Sequence, residues 1–216
     1  MRRKPTQSGF TLIEMIVSLG VFSLVITIAV GALLTLMASS KRLQGEQSVM
    51  TNLSFALDGM TREIRTGSFY FCDSAGSDNG PNNIFNPTVN LDSRLGNNTQ
   101  DCPNGANGNG FHGLAFKEGG DSITASEERI LYYFNQSDQM IYRRVGSAEP
   151  QSIVSSGIVV KRLEFIVTGS QKLTAGGNST TDQPAVTIFI EAAETADPTS
   201  KSYYLQTTVE QRTLDL

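Results

Sequence analysis

The sequence of 216 residues is poor in the side chains on which most enzyme and metal sites depend. It has one histidine, two cysteines and no tryptophan. A serine–histidine–acid site would have to use His112, and no G-x-S-x-G motif accompanies it. A zinc site needs several cysteine and histidine ligands, and no such cluster is present. Because a Walker-type phosphate loop is also missing, we expect no enzymatic activity, and we expect His112 to lie in a solvated loop.

Charge is scarce as well. The formal net charge is −4, and so mild an acidic balance gives no support for direct contact with nucleic acid. Residues 15–40 contain no charged side chain at all. A transmembrane helix needs about 20 mostly apolar residues. This segment is therefore long enough to cross a bilayer.

The charges that flank the apolar segment predict its orientation. Arg2, Arg3 and Lys4 precede it, and the next basic residue is Lys41. Positive side chains stay on the cytoplasmic side, so we expect a cytoplasmic N-terminus and an extracytoplasmic remainder. A secretory signal has an apolar core of about 7–15 residues that ends at an A-x-A-like site. This segment is longer and lacks such a site, although a plain signal anchor remains the alternative.

Glu14 is the one acid at the edge of the apolar segment. A charge deep in a bilayer costs about 2.5–3.5 kcal/mol on insertion scales, and such residues are usually paired. At the membrane edge Glu14 could instead reach water. Cleavage between Gly9 and Phe10 would create an α-amine on Phe10, and that amine would be a natural partner for Glu14. A pairing between neighbouring chains would fix the axial register of packed helices.

Residues 9–14, GFTLIE, follow a short basic leader and open the apolar segment. In this context they resemble the cleavage and methylation motif of type IV pilins and type II secretion pseudopilins. The resemblance implies that a prepilin peptidase cleaves after Gly9 and that Phe10 is N-methylated. It implies that Glu14 registers the subunit in a growing filament. The implied partners are membrane lipid before assembly, then other pilins or pseudopilins and the inner-membrane assembly platform.

A second pattern follows the apolar segment without a turn signal. Apolar residues recur there at helical spacing, at Leu43, Met50, Leu53, Leu57, Met60 and Ile64. We therefore predict one helix over residues 10–66, about 85 Å long at ~1.5 Å per residue, which ends at Gly67. We expect its stripe to pack on the protein's own head, with a coiled coil to a second chain as the alternative. Many major pilins carry proline at the position of Gly31, and glycine there favours a minor subunit.

Residues 73–110 are rich in asparagine and glycine, which predicts a long solvated loop. If the head is exported, Cys72 and Cys102 fit a disulfide that closes this loop at its base. Two buried free thiols are the alternative. Four carboxylates in the loop raise a calcium hypothesis, although no EF-hand pattern is present and a solvated loop is favoured. They are Asp73, Asp78, Asp92 and Asp101.

The rest of the chain predicts strands. Runs rich in β-branched and aromatic residues cover 129–135, 139–145, 158–168, 185–193 and 202–212. The first two form a hairpin, and together we expect one antiparallel sheet of four to six strands lying on the second half of the helix. A helix followed by strands predicts an α+β, pilin-like fold.

These patterns divide the chain into four parts. They are a leader (1–9), a transmembrane and filament-core helix (10–40), its amphipathic half (41–66) and a β-rich extracytoplasmic head (67–216). The order of elements and the helix end TREIR (61–65) resemble the J-type minor pseudopilins and related minor pilins. The resemblance implies a minor subunit at the initiation or tip of a pilus or pseudopilus. The alternative is a membrane-anchored adhesin or substrate-binding protein whose loop-rich head binds a ligand.

Overall fold

The structure, a computed structural model, describes most of the chain. The described residues are 9–73, 84–86, 88–96, 98–102, 111–118, 129–170, 183–195 and 201–212. The basic leader residues and Asp78 lie outside them. Contacts divide the chain into two compact units, Met1–Glu46 and Gln47–Leu216. We call them the anchor unit and the head unit and describe each by itself.

One long helix, α1, spans Leu12–Thr66 and so begins two residues later than predicted. It contains no proline, which allows an unbroken backbone hydrogen-bond ladder. Its last turn closes where the Gly67 amide donates to the carbonyl of Ile64 at 3.0 Å. A Cβ on Gly67 would lie 2.5 Å from the Phe116 side chain. The residue that ends the helix is therefore glycine because the sheet approaches it closely.

The described head unit contains eight strands and one short helix. They are β1 (Ser68–Asp73), α2 (Leu91–Leu95), β2 (Gly113–Lys117), β3 (Arg129–Asn135), β4 (Met140–Val145), β5 (Gln151–Ser152), β6 (Ile158–Thr168), β7 (Ala185–Glu194) and β8 (Tyr203–Glu210). The predicted hairpin is β3–β4, and the three later predicted strands are β6, β7 and β8, all within two residues. Strands β1, β2 and β5 and helix α2 were not predicted. The α+β class is confirmed.

The strands form two sheets, so the prediction of a single sheet was wrong. One sheet has the order β1-β2-β3-β4-β5 and the other the order β6-β7-β8, and all neighbours are antiparallel. Strand β6 does not continue the first sheet after the two-residue strand β5. It instead forms isolated bridges to residues that precede β2, from Phe165 to Phe111 and from Val167 to Cys102.

The second half of α1 supplies one stripe of the main core. Its buried residues are Val49, Leu53, Ala56, Leu57, Met60 and Ile64. They cluster with apolar side chains from both sheets. The predicted stripe was partly wrong, because Leu43 is 57% and Met50 41% exposed. At 100° per residue Met50 lies at the edge of the stripe, on the side of Leu57, and Val49 is the residue of that turn that is buried, at 1% exposure.

A second apolar cluster lies on the other face of the five-stranded sheet. Ile84, Leu91 and Leu95 pack there against residues of β2 and β3, and none of the three is more than 4% exposed. Helix α2 is capped by the Asn90 side chain, which accepts from the Ser93 amide at 3.0 Å. The expectation of a solvated loop was therefore wrong for this part of residues 73–110. Strands β2 and β3 are apolar on both faces, and the face turned away from α1 would be exposed to water without these residues. We call residues 84–86 and 88–96 the cover of the five-stranded sheet.

Two buried arginines fasten this cover to the sheet. Arg129 and Arg144 are 0% and 1% exposed. Their guanidinium groups donate to backbone carbonyls at 2.6–3.3 Å, those of Phe69, Gly96 and Asn98 for Arg129 and those of Ile84, Asn86 and Val89 for Arg144. Burial lowers the pKa of both arginines, and that of Arg129 falls to about 10. The negative charge of Asp92 acts in the other direction and raises the pKa of Arg129, but by less. The carbonyls offset the cost of burying these charges.

Candidate functional site

The predicted cleavage position lies at the start of the anchor unit, outside regular structure. Gly9 and Phe10 precede α1, and the Phe10 side chain is 79% exposed. The Gly9–Phe10 peptide bond is therefore not held in the helical hydrogen-bond ladder. Exposed backbone outside helices and strands is what a protease can bind and cleave.

Glu14 is held at the helix start by a residue that the sequence reasoning missed. The Thr11 hydroxyl oxygen accepts from the Glu14 amide at 3.4 Å, and the same hydroxyl donates to the Glu14 carboxylate at 3.5 Å. The Thr11 carbonyl accepts from the Met15 amide at 3.3 Å, as the carbonyl of an N-cap residue does. The signal that could have found this role is the spacing T-x-x-E, the sequence pattern of a capping box.

The arrangement places a carboxylate at the N-terminal end of the helix, where the macrodipole favours negative charge. Phe10 lies directly before the capping residue Thr11, so an α-amine on Phe10 would be formed within the same short segment as Glu14. The chemistry available here is ion pairing between a carboxylate and a new amine. Thr11 is the side chain that orients the carboxylate in the unpaired state.

The anchor unit exposes its apolar surface completely. Every residue from 9 to 44 is exposed, and an 18-residue window of α1 has a mean hydropathy of 2.5 with none of it buried. By length and composition α1 therefore contains one segment able to cross a membrane. An apolar helix that no other described residue covers is a surface suited to contact with lipid or with another chain.

Four polar side chains within residues 15–40 find their hydrogen-bond acceptors in the helix itself. The hydroxyls of Ser18, Ser23, Thr27 and Thr35 donate to backbone carbonyls three or four residues earlier, at 2.8–3.0 Å. Hydrogen-bond donors without partners are costly in hydrocarbon, where no water can replace the missing bond. These serines and threonines are therefore compatible with an apolar environment on all sides.

The structure joins Cys72 and Cys102 in a disulfide, with Cα atoms 6.5 Å apart. Both residues are 1% exposed. Cys72 lies on β1, and the Cys102 amide donates to the carbonyl of Val167 on β6 at 2.8 Å. The bond therefore links the edge strand of the five-stranded sheet to a residue bridged to the other sheet.

A polar cluster connects the end of α1 to the five-stranded sheet. The Tyr132 hydroxyl donates to the Glu63 carboxylate at 2.7 Å, and the Arg143 guanidinium donates to the same carboxylate oxygen at 3.0 Å. Burial raises the pKa of Tyr132, and its hydrogen bond to Glu63 raises that pKa further. Glu63 belongs to the helix end TREIR, so this part of the resemblance coincides with a structural contact.

The described residues show no arrangement typical of catalysis. The expectation of a solvated histidine was wrong, because His112 is half-buried and its Nδ1 lies 2.9 Å from the carbonyl of Leu163. A shallow cleft of about 640 Å³ near the end of α1 contains no cysteine, serine or histidine. Its lining residues are Arg65, Gln183, Thr208, Glu210, Gln211 and Arg212.

The carboxylates of the calcium hypothesis do not converge among the described residues. Asp101 accepts from the amides of Gly169 and Ser170, and Asp92 accepts from the amide of Arg129. Within the described part of the chain no three Asp, Glu, His or Cys side chains form a group that could hold a metal ion. Asp92 and Asp101 act there as acceptors that organise the backbone.

The family described as the prokaryotic N-terminal methylation motif matches residues 4–30 of the chain. The match covers the predicted cleavage position, Thr11, Glu14 and the first part of the apolar segment. No curated protein and no solved structure matches the chain. The motif supports a type IV pilin-like subunit that a prepilin peptidase processes and that assembles with other pilins. Together with the apolar helix it suggests single-pass membrane anchoring and a structural, non-enzymatic role.

Proposed function

We propose that this protein is a minor pilin or pseudopilin, a structural subunit that is assembled into a type IV pilus or a type II secretion pseudopilus. The prepilin peptidase cleaves it between Gly9 and Phe10, and Phe10 becomes N-methylated. The helix of residues 10–40 anchors it in the cytoplasmic membrane, with the N-terminus inside and the head outside. The inner-membrane assembly platform then transfers it from lipid into the filament.

One observation carries the proposal. The methylation motif over residues 4–30 opens a helix whose apolar half is fully exposed and whose second half is part of a folded head. A subunit that must leave the membrane has to exchange lipid for another apolar cover. Packing of helices against helices supplies that cover without exposing the apolar side chains to water.

The pairing of Glu14 with the Phe10 amine of a neighbouring subunit sets the register in this proposal. Before assembly the carboxylate is held by Thr11 in its own chain. In the filament a positively charged amine replaces a neutral hydroxyl as its partner, so the carboxylate gains an opposite charge as well as a hydrogen-bond donor. Only one axial offset between neighbouring helices allows every carboxylate to meet an amine.

The mature N-terminus tests the processing step. We expect mass spectrometry of the native protein to find a chain that begins at Phe10 and carries one N-terminal methyl group. A chain that still carries its basic leader, in cells whose prepilin peptidase is active, would contradict the proposal. The protein would then be an ordinary membrane-tethered domain and not a filament subunit.

The minor role at initiation or at the tip rests on the loose resemblance to J-type subunits. Deletion of the gene and immunolabelling of the protein on filaments test it together. We expect cells that lack the protein to form few filaments. In wild-type cells we expect the label at filament ends. Label along the whole filament would mean a major subunit instead.

A further inference from the structure

Two arginines of the head unit differ from the others because their side chains have no partner. Every other described arginine forms an ion pair, a hydrogen bond or another electrostatic contact within the chain. Among the described residues, the exposed side chains of Arg65 at the end of α1 and of Arg212 just after β8 form none. Both line the same cleft of about 640 Å³. The guanidinium charge that the described chain leaves unpaired is therefore concentrated in one place.

The fold brings these two arginines together from distant parts of the sequence. The Arg212 amide donates to the carbonyl of Arg65 at 2.8 Å, so the two side chains leave adjoining points of the cleft wall. Two hydrogen bonds fix the residue before Arg212. The Gln211 amide donates to the carbonyl of Pro184 at 2.9 Å, and the side-chain amide of Gln183 donates to the carbonyl of Gln211. The backbone that carries Arg212 is therefore ordered before any ligand binds, which lowers the entropy cost of binding.

The end of α1 does not use the Arg65 side chain as a cap. Helix ends leave carbonyl groups without partners, and a basic side chain in the last turn can donate to them. The carbonyl of Ile64 accepts from the Gly67 amide at 3.0 Å and from the Tyr70 hydroxyl at 2.6 Å. That of Arg65 accepts from the Arg212 amide. Because these carbonyls already have donors, the Arg65 guanidinium remains available to a ligand.

The cleft also contains one acid, and this acid limits the charge of a ligand. Glu210 lines the cleft and, in the part of the chain that the structure describes, forms no ion pair with either arginine. The other lining residues are uncharged, so the side chains of the cleft sum to one positive charge. A carboxylate cancels this charge, whereas a phosphate dianion would leave excess negative charge beside Glu210.

We propose that this cleft binds a carboxylate, with Arg65 and Arg212 as its donors. The planar N–H pairs of guanidinium groups match the two oxygens of a carboxylate. Glu210 accepts from an N–H group of the same ligand. The ligand class that carries both groups is an acidic peptide segment, in which a carboxylate side chain lies near backbone amides. This site is separate from the processing motif, and it does not depend on the filament role.

A blocked tripeptide with one central aspartate is the first probe, and the same peptide with asparagine is its control. Full-length protein in detergent, isotopically labelled at arginine, is titrated with each peptide, and NMR follows the guanidinium N–H signals. We expect the aspartate peptide to shift the signals of Arg65 and Arg212. The signal of Arg62, which pairs with Asp58 at 3.2 Å outside the cleft, should not move. Equal shifts with the asparagine peptide, or none with either peptide, would overturn the proposal.

Substitution of each arginine tests the assignment to these two side chains. Arg65→Gln and Arg212→Gln should each weaken binding of the aspartate peptide about tenfold, since a charge-assisted contact is lost. Arg62→Gln removes the same charge from the same helix and should leave the affinity unchanged. All three residues are exposed, so the unfolding temperature should stay at its wild-type value. An equal loss of affinity in Arg62→Gln would mean that overall charge attracts the peptide, and the cleft would not be a site.

Two further probes decide what carries the carboxylate. Sodium acetate offers a carboxylate without an N–H group, and inorganic phosphate offers a dianion. We expect both to bind more weakly than the aspartate peptide, and we expect Glu210→Gln to reduce the advantage of the peptide over acetate. Acetate that binds as tightly as the peptide would overturn the peptide class and assign the cleft to a free small carboxylate. Phosphate that binds more tightly than the peptide would overturn the carboxylate assignment itself.

Discussion

The two halves of helix α1 are both rich in apolar residues, but only one of them is covered by other described residues of the chain. In the anchor unit Leu24 is 62% exposed, whereas Leu53 in the head unit is 0% exposed. The first half is apolar on every side and the second on one stripe. An all-round apolar helix needs lipid or other helices as its solvent, while a striped helix needs only a folded head. One continuous element therefore connects two different environments.

Loss of the carboxylate in the anchor unit should have the largest effect. Glu14→Ala leaves the new amine without its partner, and breaking a buried ion pair costs about 3–5 kcal/mol. We expect more than about a hundredfold less of the variant in sheared filaments, with the head unfolding at its normal temperature. Glu46→Ala removes the same charge beside Arg42 and is the control. Equal amounts of Glu14→Ala and wild type would refute the pairing.

The same substitution in each half of α1 tests the comparison directly. Leu53→Ala creates a cavity in the head core and should lower its unfolding free energy by about 2.7–5 kcal/mol. Leu24→Ala should change it by less than about 0.5 kcal/mol, since that side chain is 62% exposed and is no part of the head core. Chemical denaturation of the full-length protein in detergent measures both. Similar losses for the two variants would mean that the halves are not independent.

Removal of the disulfide should affect only the head. Cys72 and Cys102 are 30 residues apart, and closing such a loop contributes about 3.5 kcal/mol on the chain-entropy model. We expect the double variant Cys72→Ser, Cys102→Ser to lose about this amount in the same denaturation experiment. Membrane insertion and cleavage after Gly9 should be unchanged, because those steps use the anchor unit. A loss of cleavage would contradict this separation.

The smallest expected effect is a pH dependence of head stability. The pKa of Tyr132 is raised above its ordinary value of 10 by burial and by its bond to Glu63. Its contribution to stability is complete below pH 10 and is lost as the pH rises above 10, by at most about 1.4 kcal/mol per pH unit. Tyr132→Phe should flatten this alkaline decline relative to wild type. Identical pH profiles between pH 9 and 11 would show that another group controls it.

The cover over the five-stranded sheet changes how a ligand-binding role of the head can be tested. Deletion of residues 75–100 would remove Leu91 and Leu95. It would leave Arg144 without its carbonyl partners and Arg129 with only the carbonyl of Phe69. Such a variant would lose its fold whether or not the segment binds anything. Substitution of exposed side chains is the informative experiment, because it leaves the cover in place.

Sequence reasoning succeeded where a single local property decides the structure. The helix end, the β3–β4 hairpin and the alternation of Leu163, Phe165 and Val167 on β6 follow from spacing alone, and the structure confirms them. The anchor unit is such a case throughout, because hydropathy, flanking charge and the GFTLIE motif are properties of neighbouring residues. The Thr11–Glu14 contact was equally readable, as its T-x-x-E spacing is local.

It failed where distant segments decide each other's environment. The composition around Leu91, rich in asparagine and glycine, predicts a loop. The apolar sheet face on which Leu91 packs comes from distant strands, so local composition gives no sign of it. Strand β2 was missed for the same reason, since it is short and buried on both faces only after residues 84–95 cover it.

The sequence by itself determined that the chain carries a processing motif, a charge-free helix and an α+β head, because these depend on residue type and short-range spacing. Only the tertiary structure decided that the strands split into two sheets and that two arginines are buried beneath the residues that cover the five-stranded sheet. Burial is a property of what surrounds a residue, and those surroundings are assembled from segments far apart in the chain.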